Sequence, residues 1–304
     1  MDNTYISAHE YEKNVNPQLT TIPFYERNVK ECNYGIDIID FSDVFNVSYK
    51  STTPNLLASF IRLKKNGKID LQNIQCNEFN ATSHLFYIIN GVASIDINHH
   101  EYEDKICSGD LFITPCFESL KILNIQDDEE LLIYYINDSP LINYLGSKCE
   151  KKIFQTAVYS KEFLLKNLYE LSNPNNNRKG ILLSNKDTEL LGINTITPVL
   201  WALYNELPPR IIQKPHKHNS VALDLCIKCT DSENIYTLVG EELDENGNIV
   251  NPTKIHWKEG TMFITPPGLW HSHNNTGDTC AYVLPIQDAG LLLYQRILGI
   301  VLTK

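Results

Sequence analysis

Three histidines carry the most legible chemistry in this sequence. His216 and His218 stand two apart in PHKHNSVALDL (215–225). On an extended strand, side chains two apart share a face, so both imidazoles can reach one point. His271 lies in PPGLWHSH (266–273), just after a Pro-Pro-Gly turn that re-aims the chain. Three neutral nitrogens meeting at one point, with further positions open, is the ligand pattern of a catalytic metal site. Nine histidines in 304 residues make one HxH unsurprising. Two in the same half, one of them beside a turn that the chain builds twice, favour a metal over solvated surface histidines.

The scaffold that must hold these residues is readable from an internal repeat. GTMFITPPGLWHSH (260–273) matches GDLFITPCFESLKI (109–122), 151 positions earlier. TPVLWALYNEL (197–207) resembles TPNLLASFIRL (53–63), and PIQDAGLLLY (285–294) resembles YINDSPLINY (135–144), at offsets of 144 and 150. Three matches in one order at similar offsets indicate two copies of a globular domain. Each copy reads as short strands. LLASFIRL, HLFYIIN, ASIDIN, DLFITP and ELLIYYIN fill the first, and VLWALYNEL, VALDLCIKC, NIYTLVG, TMFITP and CAYVLP the second. Such runs, split by Gly, Asn and Asp, predict a mainly β protein of antiparallel sandwiches or barrels.

The expected division is an arm over 1–50, a first barrel over 51–145, a helical linker over 146–195 and a second barrel over 196–304. In the linker, SKEFLLKNLYELS (160–172) follows a helical stripe with Ser160 as N-cap. The Asn-rich NPNNNRKG (173–180) should end it as a surface loop. The arm reads as irregular with some helix, packed on a barrel or on a partner subunit.

Bulk properties narrow the function. A net charge of −11 disfavours nucleic acid and anionic membranes as partners. The polar, acidic start MDNTYISAHEYEKN is no signal peptide, and the apolar run near the C-terminus is broken by Gln295 and Arg296. The expected location is the cytoplasm. Of eight cysteines only Cys226 and Cys229 form a CxxC. Residues three apart on a strand point to opposite faces, which argues against a zinc or redox pair there and for reduced, partly buried thiols.

With these residues in place, the sequence resembles a bicupin, two cupin barrels in one chain. Gly260, Pro266, Gly268 and His271 match the second cupin motif, and His216 and His218 the first, with Ala222 where that motif usually has glutamate. Over 197–290 the blocks WALYNELPP, PHKHNSVAL and FITPPGLWHSHNNTGD are similar to the gentisate 1,2-dioxygenase group, which includes salicylate and hydroxynaphthoate ring-cleaving relatives. The resemblance implies Fe(II) held by His216, His218 and His271, with about three coordination positions left for a bidentate substrate and O2. It places His273 beside those positions as a catalytic residue that bonds substrate.

Two departures qualify the resemblance. The family's better-known iron site lies in the N-terminal barrel, but here that barrel has no HxH. His84 falls at the glutamate position without partners, and Leu120 where His271 falls in the second copy. A metal-free first barrel, with a structural or subunit-contact role, is therefore expected. The family also commonly has arginine where Asp224 stands, to hold a substrate carboxylate. An acid cannot do that, so Asp224 either meets an amine or hydroxyl or acts as a general base, unless it only hydrogen-bonds within the fold. Gentisate itself is not the expected substrate.

Lesser substrate-binding candidates are Gln213, Trp201, Tyr204 and Arg210, the last as a carboxylate clamp. Trp201 and Tyr204 read more readily as core. The leading reading is a three-histidine Fe(II) dioxygenase that cleaves a C–C bond of a small aromatic or other chelating substrate with O2, in a homodimer or homotetramer. The alternatives are a Zn, Mn or Ni cupin isomerase, lyase or hydrolase, and a non-catalytic small-molecule-binding bicupin. Metal content and oxygen uptake separate them.

Overall fold

The computed structural model describes residues 6–8, 10, 12, 18–74, 77–173 and 178–303. Cys76, part of the loop at 173–180 and most of the first seventeen residues lie outside this set; of the helix expected in the arm, short turns form at Val29–Glu31 and Ser42–Phe45. All ten predicted strands form, within two barrels of two sheets each.

In the first barrel, one sheet runs in the order Ala157–Tyr159, Leu111–Pro115, Ser83–Asn90, Leu131–Asn137, Leu57–Leu63, Gly35–Ile39. In the second, the equivalent order is Glu26–Asn28, Thr261–Thr265, Ala222–Lys228, Ala281–Gln287, Trp201–Leu207, Lys179–Leu183. These two sheets share one buried apolar cluster, which includes Tyr134, Ile136, Leu223, Leu225 and Ile286, so they back onto each other. The remaining sheets close the barrels. Phe86, Phe112, Ile95 and Tyr135 fill the first interior, and Trp257, Phe263, Leu207 and Val283 the second.

The sheet order redraws the arm and the linker. Glu26–Asn28, from the arm, pairs antiparallel with the armed strand Thr261–Thr265 of the far barrel. Ala157–Tyr159, from the linker, pairs the same way with Leu111–Pro115 of the first. Gly35–Ile39 and Lys179–Leu183, 144 positions apart, edge equivalent strands. Arm and linker are thus matching pieces of the repeat, each one strap strand plus one edge strand. The predicted helix is present at Lys161–Leu171, with Ser160 Oγ accepting from the Phe163 amide and Leu164 and Leu168 buried.

The repeated glycine has a physical reason. Gly109 and Gly260 both hold a left-handed backbone, φ +94° and +75°. A Cβ on Gly109 would meet the Lys161 side chain at 2.7 Å, and one on Gly260 would meet Val29 at 3.0 Å. Each turn lies tight under its strap.

The repeat also duplicates a buried aspartate. Asp138 accepts from the amides of Thr82 and Ser83 at 2.8 and 2.9 Å, and Asp288 from that of Val221 at 3.0 Å. Each ties the last long strand of its barrel to the start of the central one. Asp138→Ala strands two buried amides and is expected to cost on the order of 2–4 kcal/mol in urea unfolding. A loss below about 1 kcal/mol, the range of an ordinary hydrogen bond, would show that water takes over those amides.

One expectation is corrected here. The strand Ala222–Lys228 slips register between Cys226 and Lys228. This bulge cancels the alternation, so Cys226 and Cys229 both pack against the interior of the second barrel, and the Cys226 thiol donates to Cys229. They do not point to opposite faces.

Candidate metal centre

His216–His218 and Ala222–Lys228 are not one strand. The first pairs with Trp270–Asn275 and the C-terminal Ile300–Leu302, and the second belongs to the opposite sheet of the barrel. The chain crosses between sheets at 219–221, where the Asp288 carboxylate accepts the Val221 amide. Strand parity therefore does not run from His218 to Asp224, yet both inner faces look into the same barrel mouth. His216 sits directly opposite His271 in the register.

The three predicted ligands come together. Ligand atoms of His216, His218 and His271 all lie within 4.8 Å of one another, a spread that small ring rotations can close onto one ion. His218 and His271 are buried. His218 Nδ1 lies 2.8 Å from the Ser220 carbonyl, and His271 Nδ1 3.1 Å from the Leu269 carbonyl. A carbonyl only accepts, so Nδ1 carries the proton in both rings and Nε2 keeps its lone pair, as metal ligation requires. The Ser220 hydroxyl also touches His218 Nδ1 and donates to Gln287 Oε1 at 2.7 Å.

Burial holds every ring neutral. It lowers the pKa of His216 to about 2 and that of His273 to about 3, with Arg178 and neighbouring histidines adding to the effect. His218 and His271 are lowered by the same burial. Neutral imidazoles desolvated around one point suit a divalent cation. Among the described residues, no other group of three or more such side chains converges in this way.

The trio faces a cavity of about 310 Å³, lined also by Arg178, Asn205, Gln213, Asp224, His273 and Gln287. His273 is buried beside the trio, its ring 6.1 Å from that of His271. Trp257 Nε1 donates to Thr237 Oγ1, which lies 2.8 Å from His273 Nδ1. When the Thr237 proton goes to Nδ1, Nε2 carries the ring proton and can donate. Asp224 is buried, and Thr265 Oγ1 donates to its carboxylate at 2.7 Å. Burial pushes its pKa up to about 7, against the pull of that hydroxyl.

Other sequence candidates land elsewhere. Tyr204 points into the cluster between the barrels, because Leu203 and Asn205 take the inner face of its strand. Arg210 is exposed and bonds Asp278 at 2.7 Å, so it clamps a surface carboxylate rather than a substrate. Trp201 does not line the cavity, whereas Gln213 does. Arg178 was not found from sequence. It lies 38 positions before His216, in an Asn-rich segment, and is carried to the site by the edge strand that follows it. One guanidinium nitrogen lies 2.6 Å from the Lys214 carbonyl and 3.2 Å from His216 Nδ1. Guanidinium only donates, so Arg178 and an ion cannot share that lone pair.

In the first barrel the equivalent space is filled. His84 is fully buried, bonded through Nδ1 to the Tyr135 hydroxyl at 2.8 Å, with the Phe117 ring 4.4 Å away.

This chain is a bicupin by fold, with a candidate three-histidine centre in its second barrel. Salicylate 1,2-dioxygenase from Pseudaminobacter salicylatoxidans superposes with TM-score 0.69 at 12% identity, over 95% of this chain and 91% of that one. Its adduct with gentisate gives TM-score 0.69 at 11% identity, over 94% and 87%. Vicilin from hazelnut, Corylus avellana, also matches, with TM-score 0.54 at 12% identity, over 92% and 86%. No family model and no curated protein sequence matches this chain. A dioxygenase and a vicilin on one architecture show why the fold alone does not choose the reaction.

Proposed function

We propose that the protein is an Fe(II)-dependent dioxygenase that cleaves a C–C bond of a small metal-chelating substrate, aromatic or similar, with O2. The observation that supports this is the neutral trio of His216, His218 and His271 at the wall of a cavity with space beside it. Those three histidines would hold iron, which would supply open positions for a chelating substrate and O2 beside one redox-active centre.

The protein's own groups would do the rest. His273, backed by Thr237 and Trp257, would donate a hydrogen bond to substrate. Asp224, poised near neutrality, would accept a phenol or ammonium proton as the substrate chelates. Gln213 would orient from the cavity wall. Arg178 changes the charge argument, because its guanidinium places a cation in the same cavity. It can pair with an anionic substituent that Asp224 would repel. The substrate sought is therefore one with adjacent chelating donors, and aminophenols, hydroxybenzoates and diketones are the classes to screen.

Anaerobic Fe(II) loading followed by oxygen-uptake screening against these classes tests the reading. Substrate-dependent uptake with both oxygen atoms found in the product supports it. Turnover without uptake on a Zn, Mn or Ni form would replace it with isomerase, lyase or hydrolase chemistry. Arg178→Ala is expected to raise KM for a hydroxybenzoate by roughly 10–100-fold, with a smaller effect on an aminophenol. Equal effects on both would remove the clamp role.

A further inference from the structure

The turn that lacks histidines carries chemistry of another kind. Cys116 stands in GDLFITPC at the position of Pro267 in the armed copy. It is buried at the end of Leu111–Pro115, and Cys149 reaches it from the segment after the helix Ser139–Tyr144. The side chains of Cys149 and Cys116 are neighbours close enough for their thiols to interact. The approach is built in, because the backbone of Cys149 is held at both ends. Its amide donates to Asn80 Oδ1 at 2.9 Å, and its carbonyl accepts from Asn73 Nδ2 at 3.0 Å. Asn80 is itself fully buried and donates to the Ser147 carbonyl at 2.7 Å.

Both cysteines line a cavity of about 390 Å³ at this end of the first barrel, with Phe117, Lys148 and Lys152 among its walls. A small oxidant thus has a way in. The neighbouring Cys149 and, less strongly, Lys152 favour the thiolate on Cys116, against burial and the Asp138 carboxylate. The Cys116 neighbour and burial oppose a thiolate on Cys149, with Asp138 and Glu150 adding to them, whereas Cys116 has Lys152 nearby. A thiolate-biased sulfur beside a second thiol in an open cavity is the arrangement of a peroxide-reactive pair.

We propose that Cys116 and Cys149 are a redox-reactive dithiol, Cys116 attacking hydrogen peroxide and Cys149 resolving the product to a disulfide. In the first step the Cys116 thiolate takes one peroxide oxygen, the O–O bond breaks, and the departing hydroxide leaves as water with a proton. Cys116 is then a sulfenic acid. In the second step the Cys149 sulfur attacks, the S–O bond breaks, and a second water leaves. Peroxide is reduced to two waters, and the thiols lose two hydrogens between them. The bridge ties the first barrel's repeated turn to the start of the linker, next to the strap that covers that turn.

The test is a time course of the full-length protein with hydrogen peroxide, quenched by alkylation and read by peptide mass spectrometry. The expected product is one peptide pair joined through Cys116 and Cys149, reversed by dithiothreitol. Cys107, an exposed thiol whose pKa is raised, serves as the internal reference. Cys116 is expected to react roughly tenfold faster than Cys107. In Cys149→Ser, dimedone should trap a sulfenic acid at Cys116. Equal rates at Cys116 and Cys107 in the unmodified sequence, or a bridge from either cysteine to any other, would overturn the proposal, as would failure to trap in a folded Cys149→Ser variant.

Discussion

His271→Ala is expected to abolish Fe(II) binding, and His84→Ala to leave it intact. His271 is one of three imidazoles whose ligand atoms converge, and its Nδ1 is already committed to the Leu269 carbonyl. Loss of an outer partner of a ligand weakens metal binding roughly 10–100-fold, and loss of the ligand itself should exceed that. His84 is equally buried but bonded to Tyr135 among packed aromatic rings, so its removal should register as stability. A cost of about 2–4 kcal/mol is expected from the cavity it leaves. Fe(II) titration and urea unfolding of both variants separate the two effects. Equal loss of metal in both would refute a single site in the second barrel.

The second large effect concerns Asp224 and pH. Its pKa stands near 7 in the folded protein and near 3.9 when unfolded, so between these values the folded state holds the extra proton. The stability this gives is fully present below about pH 4 and is lost as pH rises through about 7. A gap of that size corresponds to something on the order of 4 kcal/mol across the window. Asp224→Asn keeps an acceptor for the Thr265 hydroxyl and removes the titration. In metal-free protein the variant is therefore expected to gain stability over the parent as pH rises from about 4 to 7, then run parallel to it. Asp138, raised by burial to about 6, adds a loss of the same sign over a narrower window in both. Urea midpoints at several pH values measure the difference, and parallel curves throughout would show that Asp224 ionises as freely in the fold as outside it. A cation in the trio would favour the carboxylate, so Fe(II) should flatten the parent's slope but not the variant's.

Much of the fold was legible because its signals are local. Strand runs, the Ser160 cap and the left-handed glycine of each repeated turn depend on residues close in the chain. The ligand trio was legible for the same reason: an HxH and a turn-borne histidine are short patterns, and the repeat marked where they sit. Tyr204, a substrate candidate that reads more readily as core, lies in the core, and alternation along Trp201–Leu207 contains the reason. Once Leu207 fills the barrel interior, Leu203 and Asn205 share its side and Tyr204 must face away. The CxxC reading failed because alternation was assumed where a bulge breaks it.

Sequence by itself therefore predicted two barrels and the three histidines that the structure brings together in the second. Tertiary structure decided what surrounds them. Arg178 enters the cavity because Lys179–Leu183 pairs with Trp201–Leu207, and Arg210 leaves it because its left-handed backbone at φ +58° turns it outward to Asp278. Asp224 faces the histidines across two sheets rather than along one strand. Cys116 meets Cys149 through two side-chain amides that pin a distant loop. Each of these contacts joins segments far apart in the chain. Long-range pairing is set by burial and register summed over whole sheets, and a short motif carries no record of that sum.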